Sequence, residues 1–244
     1  MAGKNNRCTI FYMKSTKSFL PCKLLIIIAH PDDEGYLFSG TTWMNHQAGG
    51  TSTIVCATLG EKGSSHLKKP MSPVKLKALR KKELLTATKF AKVNTLHILK
   101  LPDGGVLPKW KMFLRQTAKV VKSVKPDVIL SFGPDGITGH RDHQACFLVA
   151  QQVGKKYRLP VYVASTSPTF APKLQNWLIS RRAHGSYDTC IPLQPATAAV
   201  PLPSGLKRKI LSHYPSQVDL KKPYGSAPVS AVKKLFAAEY FSII

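Results

Sequence analysis

Short apolar, β-branched runs alternate along this chain with stretches whose apolar positions recur every three to four residues. Leu24–Ala29 reads as a buried strand, Tyr36–Gln47 as a helix and Thr53–Thr58 as a second strand. Over Val74–Ala91 the residues Leu76, Leu79, Leu84, Ala87 and Phe90 fall near a 3.6-residue period, which predicts a long helix. Leu96–Leu99 and Val128–Phe132 read as strands, Trp110–Val124 and about Asp142–Val153 as helices, and Val161–Ala164 closes the series. Such alternation predicts βαβ units in an α/β domain built on a mostly parallel, doubly wound sheet flanked by helices. In such a sheet ligands bind at the carboxyl ends of the strands. The second half is less regular. Ile191–Gly205 reads as loop, Leu206–Leu211 and Ala231–Tyr240 as terminal helices, and Gly60–Pro73 as a long loop able to act as a lid.

The 244 residues suffice for one sizeable domain. No apolar run approaches the roughly 20 residues that span a bilayer. The first 23 residues carry Lys4, Arg7, Lys14, Lys17 and Lys23 but no acid and no apolar segment typical of a secretory signal. The expectation is a basic arm over 1–22 and a single domain over 23–244. Five cysteines, at 8, 22, 56, 146 and 190, with no C-x-x-C, point to free thiols in a reducing cytoplasm.

Charge narrows the choice of candidate residues. The chain has 36 Lys+Arg against 12 Asp+Glu, a net charge of +24. A surface of this kind attracts polyanions, including anionic lipid. The basic residues read as scattered rather than gathered on one helix face, and no aromatic stacking strip accompanies them, so no specific nucleic acid is expected. In so basic a chain, three consecutive acids are conspicuous. Asp32, Asp33 and Glu34 follow the first strand directly, behind His30 and Pro31. Glu61, Asp103, Asp135 and Asp142 also lie after predicted strands or beside histidines. Adjacent acids repel unless a cation or hydrogen-bond donors hold them. Capping of the next helix accounts for part of the cluster but not for His30.

The fourth strand ends in Gly133-Pro134-Asp135-Gly136-Ile137-Thr138-Gly139-His140-Arg141-Asp142-His143. If a helix starts near Gly139, His140 and His143 share a face. A lone histidine is commonly structural, but two after one strand and a histidine–acid cluster after another form a constellation. A hydrolytic zinc site needs three N/O ligands and an open position. His30, one of the two aspartates and one of the two later histidines would supply the ligands. A second carboxylate would serve as general base, and the remaining histidine as oxyanion stabiliser or acid.

Ala29-His30-Pro31-Asp32-Asp33-Glu34 and Gly139-His140-Arg141-Asp142-His143 resemble the two signature motifs of the LmbE-like, or PIG-L, family of de-N-acetylases. Weaker similarity runs through Thr58-Leu59-Gly60-Glu61, Arg80 with Glu83, Leu101-Pro102-Asp103-Gly104, His213 with Ser216-Gln217, and Glu239-Tyr240-Phe241. The resemblance implies a Rossmann-like, LmbE-like fold and a zinc-dependent hydrolase removing acetyl from an N-acetylglucosamine-type substrate, as a glycoconjugate or in lipid-linked form. It implies His30, Asp33 and His143 as metal ligands, Asp32 as general base and His140 as oxyanion stabiliser or acid. Arg80 and Asp103 resemble positions that hold sugar hydroxyls, although Arg80 beside Lys81 and Lys82 also reads as a solvated helix residue, and Asp103 as a turn residue. Thr138 stands where some sugar deacetylases of the family carry a tyrosine.

Zn2+ follows from ligand type, and Fe2+, Mn or Co suits the same set. The expected location is cytoplasmic, with electrostatic association at an anionic membrane surface as a further expectation. Two rivals stand beside the deacetylase: a hydrolase of another amide on the same fold, and a basic polyanion-binding protein on an inherited enzyme fold.

Overall fold

The computed structural model of the chain describes residues 20–63, 65, 67, 71–166, 171–172, 176, 196–223 and 229–244. The first half builds five parallel strands: β1 (Lys23–Ile28), β2 (Thr51–Cys56), β3 (Thr95–Ile98), β4 (Val128–Phe132) and β5 (Val161–Ser165). Between them run α1 (Asp33–Leu37), α2 (Ser39–Gln47), α3 (Pro73–Phe90), α4 (Trp110–Val124, entered through a 3-10 turn at Leu107–Lys109), α5 (Gly136–Gly139) and α6 (Arg141–Tyr157). The last part contributes β6 (Ala198–Pro201), α7 (Leu206–Leu211), α8 (Val229–Ala237) and β7 (Ala238–Ile243). The seven-stranded sheet has the order β3-β2-β1-β4-β5-β7-β6.

β1 lies between β2 and β4, with Ile26 opposite Ile54 on one side and Leu130 on the other. The chain therefore winds outward one way through β2 and β3, then restarts beside β1 with β4. That reversal opens a crevice at the carboxyl ends of β1 and β4. Leu25 to Ile28 and Val128 to Leu130 are fully buried, the continuous apolar pattern of parallel strands covered on both faces.

Helix ends follow their local chemistry. Ser72 accepts the amide of Lys75 at the start of α3, with Pro73 next to it. His140 caps α6, its Nδ1 accepting the amide of Asp142 at 3.1 Å.

Three sequence expectations change. The helix expected over Tyr36–Gln47 breaks at Phe38, whose φ of −137° separates α1 from α2. The helix expected over Ala231–Tyr240 stops at Ala237, and β7 then pairs antiparallel with β5, so Val161–Ala164 does not close the sheet. The stretch expected as loop over Ile191–Gly205 contains β6, which pairs antiparallel with β7. Short edge strands beside a parallel sheet carry too little periodicity to stand out from helix or loop.

The expected arm falls outside the described residues as far as residue 19, and the expected lid does so in part. Cys22, Cys56 and Cys146 are buried and form no disulfide. Among the described residues no helix is long and apolar enough to cross a membrane.

Candidate active site

The crevice at the switch point gathers residues from both signature segments. β1 ends at Ile28 and the chain turns through Asp32, which holds a left-handed φ of 102°. That conformation is uncommon outside glycine and carries local strain. It sends three consecutive acids to three different partners. Asp32 Oδ1 meets Arg80 Nη2 at 3.2 Å. Asp33 Oδ2 accepts the amides of Ala29 at 3.1 Å and His30 at 2.7 Å. Glu34, fully buried, accepts the hydroxyl of Tyr214. The mutual repulsion expected of the acids is thus relieved by a guanidinium, two amides and a phenol.

The loop after β4 supplies the other side. Ile137, a β-branched residue, adopts φ 62°, and its amide donates to Asp135 at 2.5 Å. The strained turn leads to His140 and His143. Phe132 stacks on the His143 ring at 3.9 Å, and His143 Nδ1 lies 2.9 Å from the carbonyl of Gly136. A carbonyl only accepts, so Nδ1 carries the proton and Nε2 presents its lone pair. His30 Nε2 lies 3.1 Å from Asp103 and 3.3 Å from Asp142, which places a proton there and turns Nδ1 toward Asp33 and His143.

Three donors consequently converge. Asp33 Oδ1 is 3.2 Å from His143 Nε2, Asp33 Oδ2 is 3.6 Å from His30 Nδ1, and the two ring nitrogens are 3.3 Å apart. Lone pairs and a carboxylate at such separations require a proton or a cation between them. The set fits a small divalent ion with N/O ligands. The contacts of Nδ1 of His143 with a carbonyl and of Nε2 of His30 with carboxylates are those that orient ligating histidines. Donor atoms of His30, His140 and His143, and likewise of His30, Asp103 and Asp142, also lie within 4.8 Å of one another.

Electrostatics follow the same geometry. Burial opposes a charge on His30, but Asp103, Asp142 and Asp33 together hold its pKa well above the ordinary value. Burial also works against ionised Asp33, yet His143 and His30 keep its pKa well below the usual range. Burial pushes Asp32 up to about 6 against the pull of Arg80. It pushes Glu34 up to about 8, with Tyr214 opposing. His140 is brought down to about 4 by burial and by the neighbouring His143 and His30.

The other expected residues sit as follows. Arg80 is 4% exposed, so the solvated-helix alternative does not describe it. Its guanidinium donates to Pro31 O at 2.5 Å and Gly60 O at 2.9 Å besides Asp32. Asp103 touches His30 and accepts the amide of Lys62 at 2.8 Å, while its own amide donates to Glu61. Thr138 is half-buried in α5. His213 packs against Phe90 instead, with ring centroids 5.0 Å apart.

Asp142 had no assigned role from sequence. It is fully buried, contacts His30 and accepts the amides of Gly104 at 2.7 Å and Val106 at 3.0 Å, so it joins the β3–α4 loop to the histidines. Its place between His140 and His143 was the available signal. Tyr214, by contrast, had only its closeness to the Ser216-Gln217 fragment to mark it.

The family model described as PIG-L, GlcNAc-PI de-N-acetylase, matches residues 25–153. The chain is similar to a probable N-acetyl-alpha-D-glucosaminyl L-malate deacetylase 2 of Bacillus subtilis (strain 168), with 36% identity over 126 residues covering 50% of this chain and 56% of that protein. The chain spans about half the length of the curated relatives it matches. Among solved structures it resembles an N,N'-diacetylchitobiose deacetylase from Pyrococcus horikoshii, with a TM-score of 0.59 and 18% identity over 91% of this chain and 83% of that one. It also resembles GalB, a 4-carboxy-2-hydroxymuconate hydratase from Pseudomonas putida KT2440, with a TM-score of 0.64 and 17% identity over 91% of this chain and 95% of that one. At such identities these two structures share the fold with this chain.

Proposed function

This chain belongs to the PIG-L family, and from that premise we propose that it is a zinc-dependent de-N-acetylase acting on an N-acetylglucosamine-type substrate. The observation that carries the proposal is the convergence of His30 Nδ1, Asp33 and His143 Nε2 within 3.2–3.6 Å, bordered by Asp32 and His140. These three residues would hold the metal, with Zn2+ the expected ion and Fe2+ an alternative. When bound, such an ion acidifies water and polarises the amide carbonyl.

The remaining residues have separable tasks. Asp32, held by Arg80, would take the proton from the attacking water and return it to the departing amine. His140 uses Nδ1 as the acceptor for the Asp142 amide, which leaves the proton on Nε2 for donation to the developing oxyanion. In this reading it serves as a neutral donor rather than an acid. The amide C–N bond breaks, releasing acetate and the free amine. Arg80 and Asp103 would hold sugar hydroxyls, and their contacts with Asp32 and His30 would tie substrate binding to the reacting groups. A hydratase on the same fold shows why the reaction rests on the site rather than on the architecture.

The test is metal content by plasma mass spectrometry on wild type and His143→Ala, paired with amine release from N-acetylglucosamine conjugates. About one metal per chain, lost in the variant together with hydrolysis, supports the proposal. A wild type that stays metal-free on reconstitution with zinc overturns it. Varying the aglycone between small polar groups and lipids in the same assay identifies the conjugate.

One observation favours an added association with anionic membrane surfaces, in a cytoplasmic setting that suits the free thiols. Lys111, Arg115, Lys119 and Lys122 recur every three to four residues on α4 and are all exposed, so basic residues are gathered on one helix face after all. With Lys156 they line a groove of about 480 Å³. Each such charge near an anionic bilayer contributes about 1 kcal/mol. Vesicles containing phosphatidylserine should sediment wild type at low salt, and glutamine at the four α4 positions should release it. Glutamine at Lys75, Lys77, Lys81 and Lys82 on α3 removes the same charge from another helix. Equal loss from both sets would assign the effect to net charge alone.

A further inference from the structure

A buried ion pair holds the junction of α1 and α2. Lys207, on α7, is fully buried and pairs with Glu239 of β7. Its ammonium donates to the carbonyls of Tyr36 at 2.9 Å and Gly35 at 3.4 Å, in the closing turn of α1. The Glu239 carboxylate accepts the amides of Gly40 at 2.9 Å and Thr41 at 2.7 Å, in the opening turn of α2. Between these contacts lies Phe38, whose side chain caps neither helix.

A helix break leaves carbonyls at one end and amides at the other without intrahelical partners. Here a cation meets the carbonyl end and an anion the amide end, the sense the helix dipole favours. Gly40 permits the approach, because a Cβ there would lie 2.5 Å from Leu202 Cδ2 and 2.9 Å from Glu239 Oε1. α1 has only five residues, too few to hold its own geometry. It nevertheless begins with Asp33 and follows Asp32 directly. A buried pair seldom stabilises more than packed apolar residues of the same size, but this one also supplies partners to both sides of the helix break.

We propose that Lys207 and Glu239 are positioning residues that clamp the α1–α2 junction and so set the placement of Asp32 and Asp33. This rests on the metal-ligand reading above. The experiment compares wild type, Lys207→Met, Glu239→Gln and the double variant Lys207→Met/Glu239→Leu. Zinc affinity is measured against a competing chelator well below the melting temperature, with melting followed by circular dichroism.

The double variant avoids an unpaired buried charge but leaves the Gly40 and Thr41 amides and the Tyr36 carbonyl without these partners, so it is expected to melt below wild type and, measured where it is still folded, to bind zinc roughly ten-fold or more weakly, as when the residues supporting a ligand are lost. With an N-acetylglucosamine conjugate its kcat falls while KM holds. Should the double variant not fold, Glu239→Gln gives the same reading of affinity. Variants that bind zinc as tightly as wild type reduce the pair to a structural contact and overturn this proposal alone. A wild type that binds no zinc removes the ligand reading and this proposal with it.

Discussion

The parallel half of the molecule, β1 to β5, and the closing segment from β6 to β7 play unlike parts around one crevice. Every group assigned to chemistry, from His30 to His143, comes from the first. The second contributes side chains that grip the first from behind the reacting atoms: Tyr214 on Glu34, Lys207 and Glu239 on the α1–α2 junction, and Ser216 on Glu83. Ser216 donates both its amide, at 2.8 Å, and its hydroxyl, at 2.6 Å, to Glu83 on α3, the helix that carries Arg80. The contrast teaches that the reactive groups lie in two short segments of the first region, held partly by their own neighbours and partly by side chains that arrive from the end of the chain. Changes in the first region should therefore register chiefly in metal content and kcat, and changes in the second in stability as well.

The largest effect is expected in the first region. Asp32→Asn leaves the three converging donors intact and removes the proposed base, so metal content should hold while kcat falls by about 10²–10⁴-fold. Concurrent loss of metal would make Asp32 a ligand and blur the division. An intermediate effect is expected from Tyr214→Phe. It deprives a fully buried carboxyl of its phenol donor and leaves the Asp32 amide at 3.3 Å, which should lower stability by about 1–3 kcal/mol in denaturant melts and reduce kcat far less than Asp32→Asn. A fall in kcat equal to that of Asp32→Asn, with unchanged stability, would move Tyr214 into the reacting set. Ser216→Ala should be mildest, at about 1 kcal/mol, because the Ser216 amide still serves Glu83. A thermal melt and an assay at saturating substrate check this, and a lost activity with an unchanged melt would contradict a supporting role.

Legibility in sequence follows the same divide. β1 and β4 stood out because strands buried on both faces are continuously apolar, and α4 has the bounds expected for it, Trp110–Val124. The basic stripe on α4 was equally open to reading, since its spacing is that of a helix face. β7 was misread as a continuation of α8 because Ala238 to Ile243 is a six-residue edge strand following a helix without a glycine or proline between them. Arg80 could be read as solvated because two lysines adjoin it. Only the packing of α3 shows that it turns inward to Asp32.

The sequence by itself determined the alternation that makes a doubly wound sheet, the placement of both histidine-bearing segments at strand ends, and the motifs of the PIG-L family. These are local properties, written in periodicity and in residues a few positions apart. Tertiary structure alone decided that β4 restarts beside β1, and hence that His30 and His143, 113 residues apart, come within 3.3 Å. It also decided which partner each of Asp32, Asp33 and Glu34 meets, and that Lys207 and Glu239 close on the α1–α2 break. Such pairings depend on where separate elements pack, and side-chain charge and hydrogen bonding act over only a few ångströms once the chain has folded.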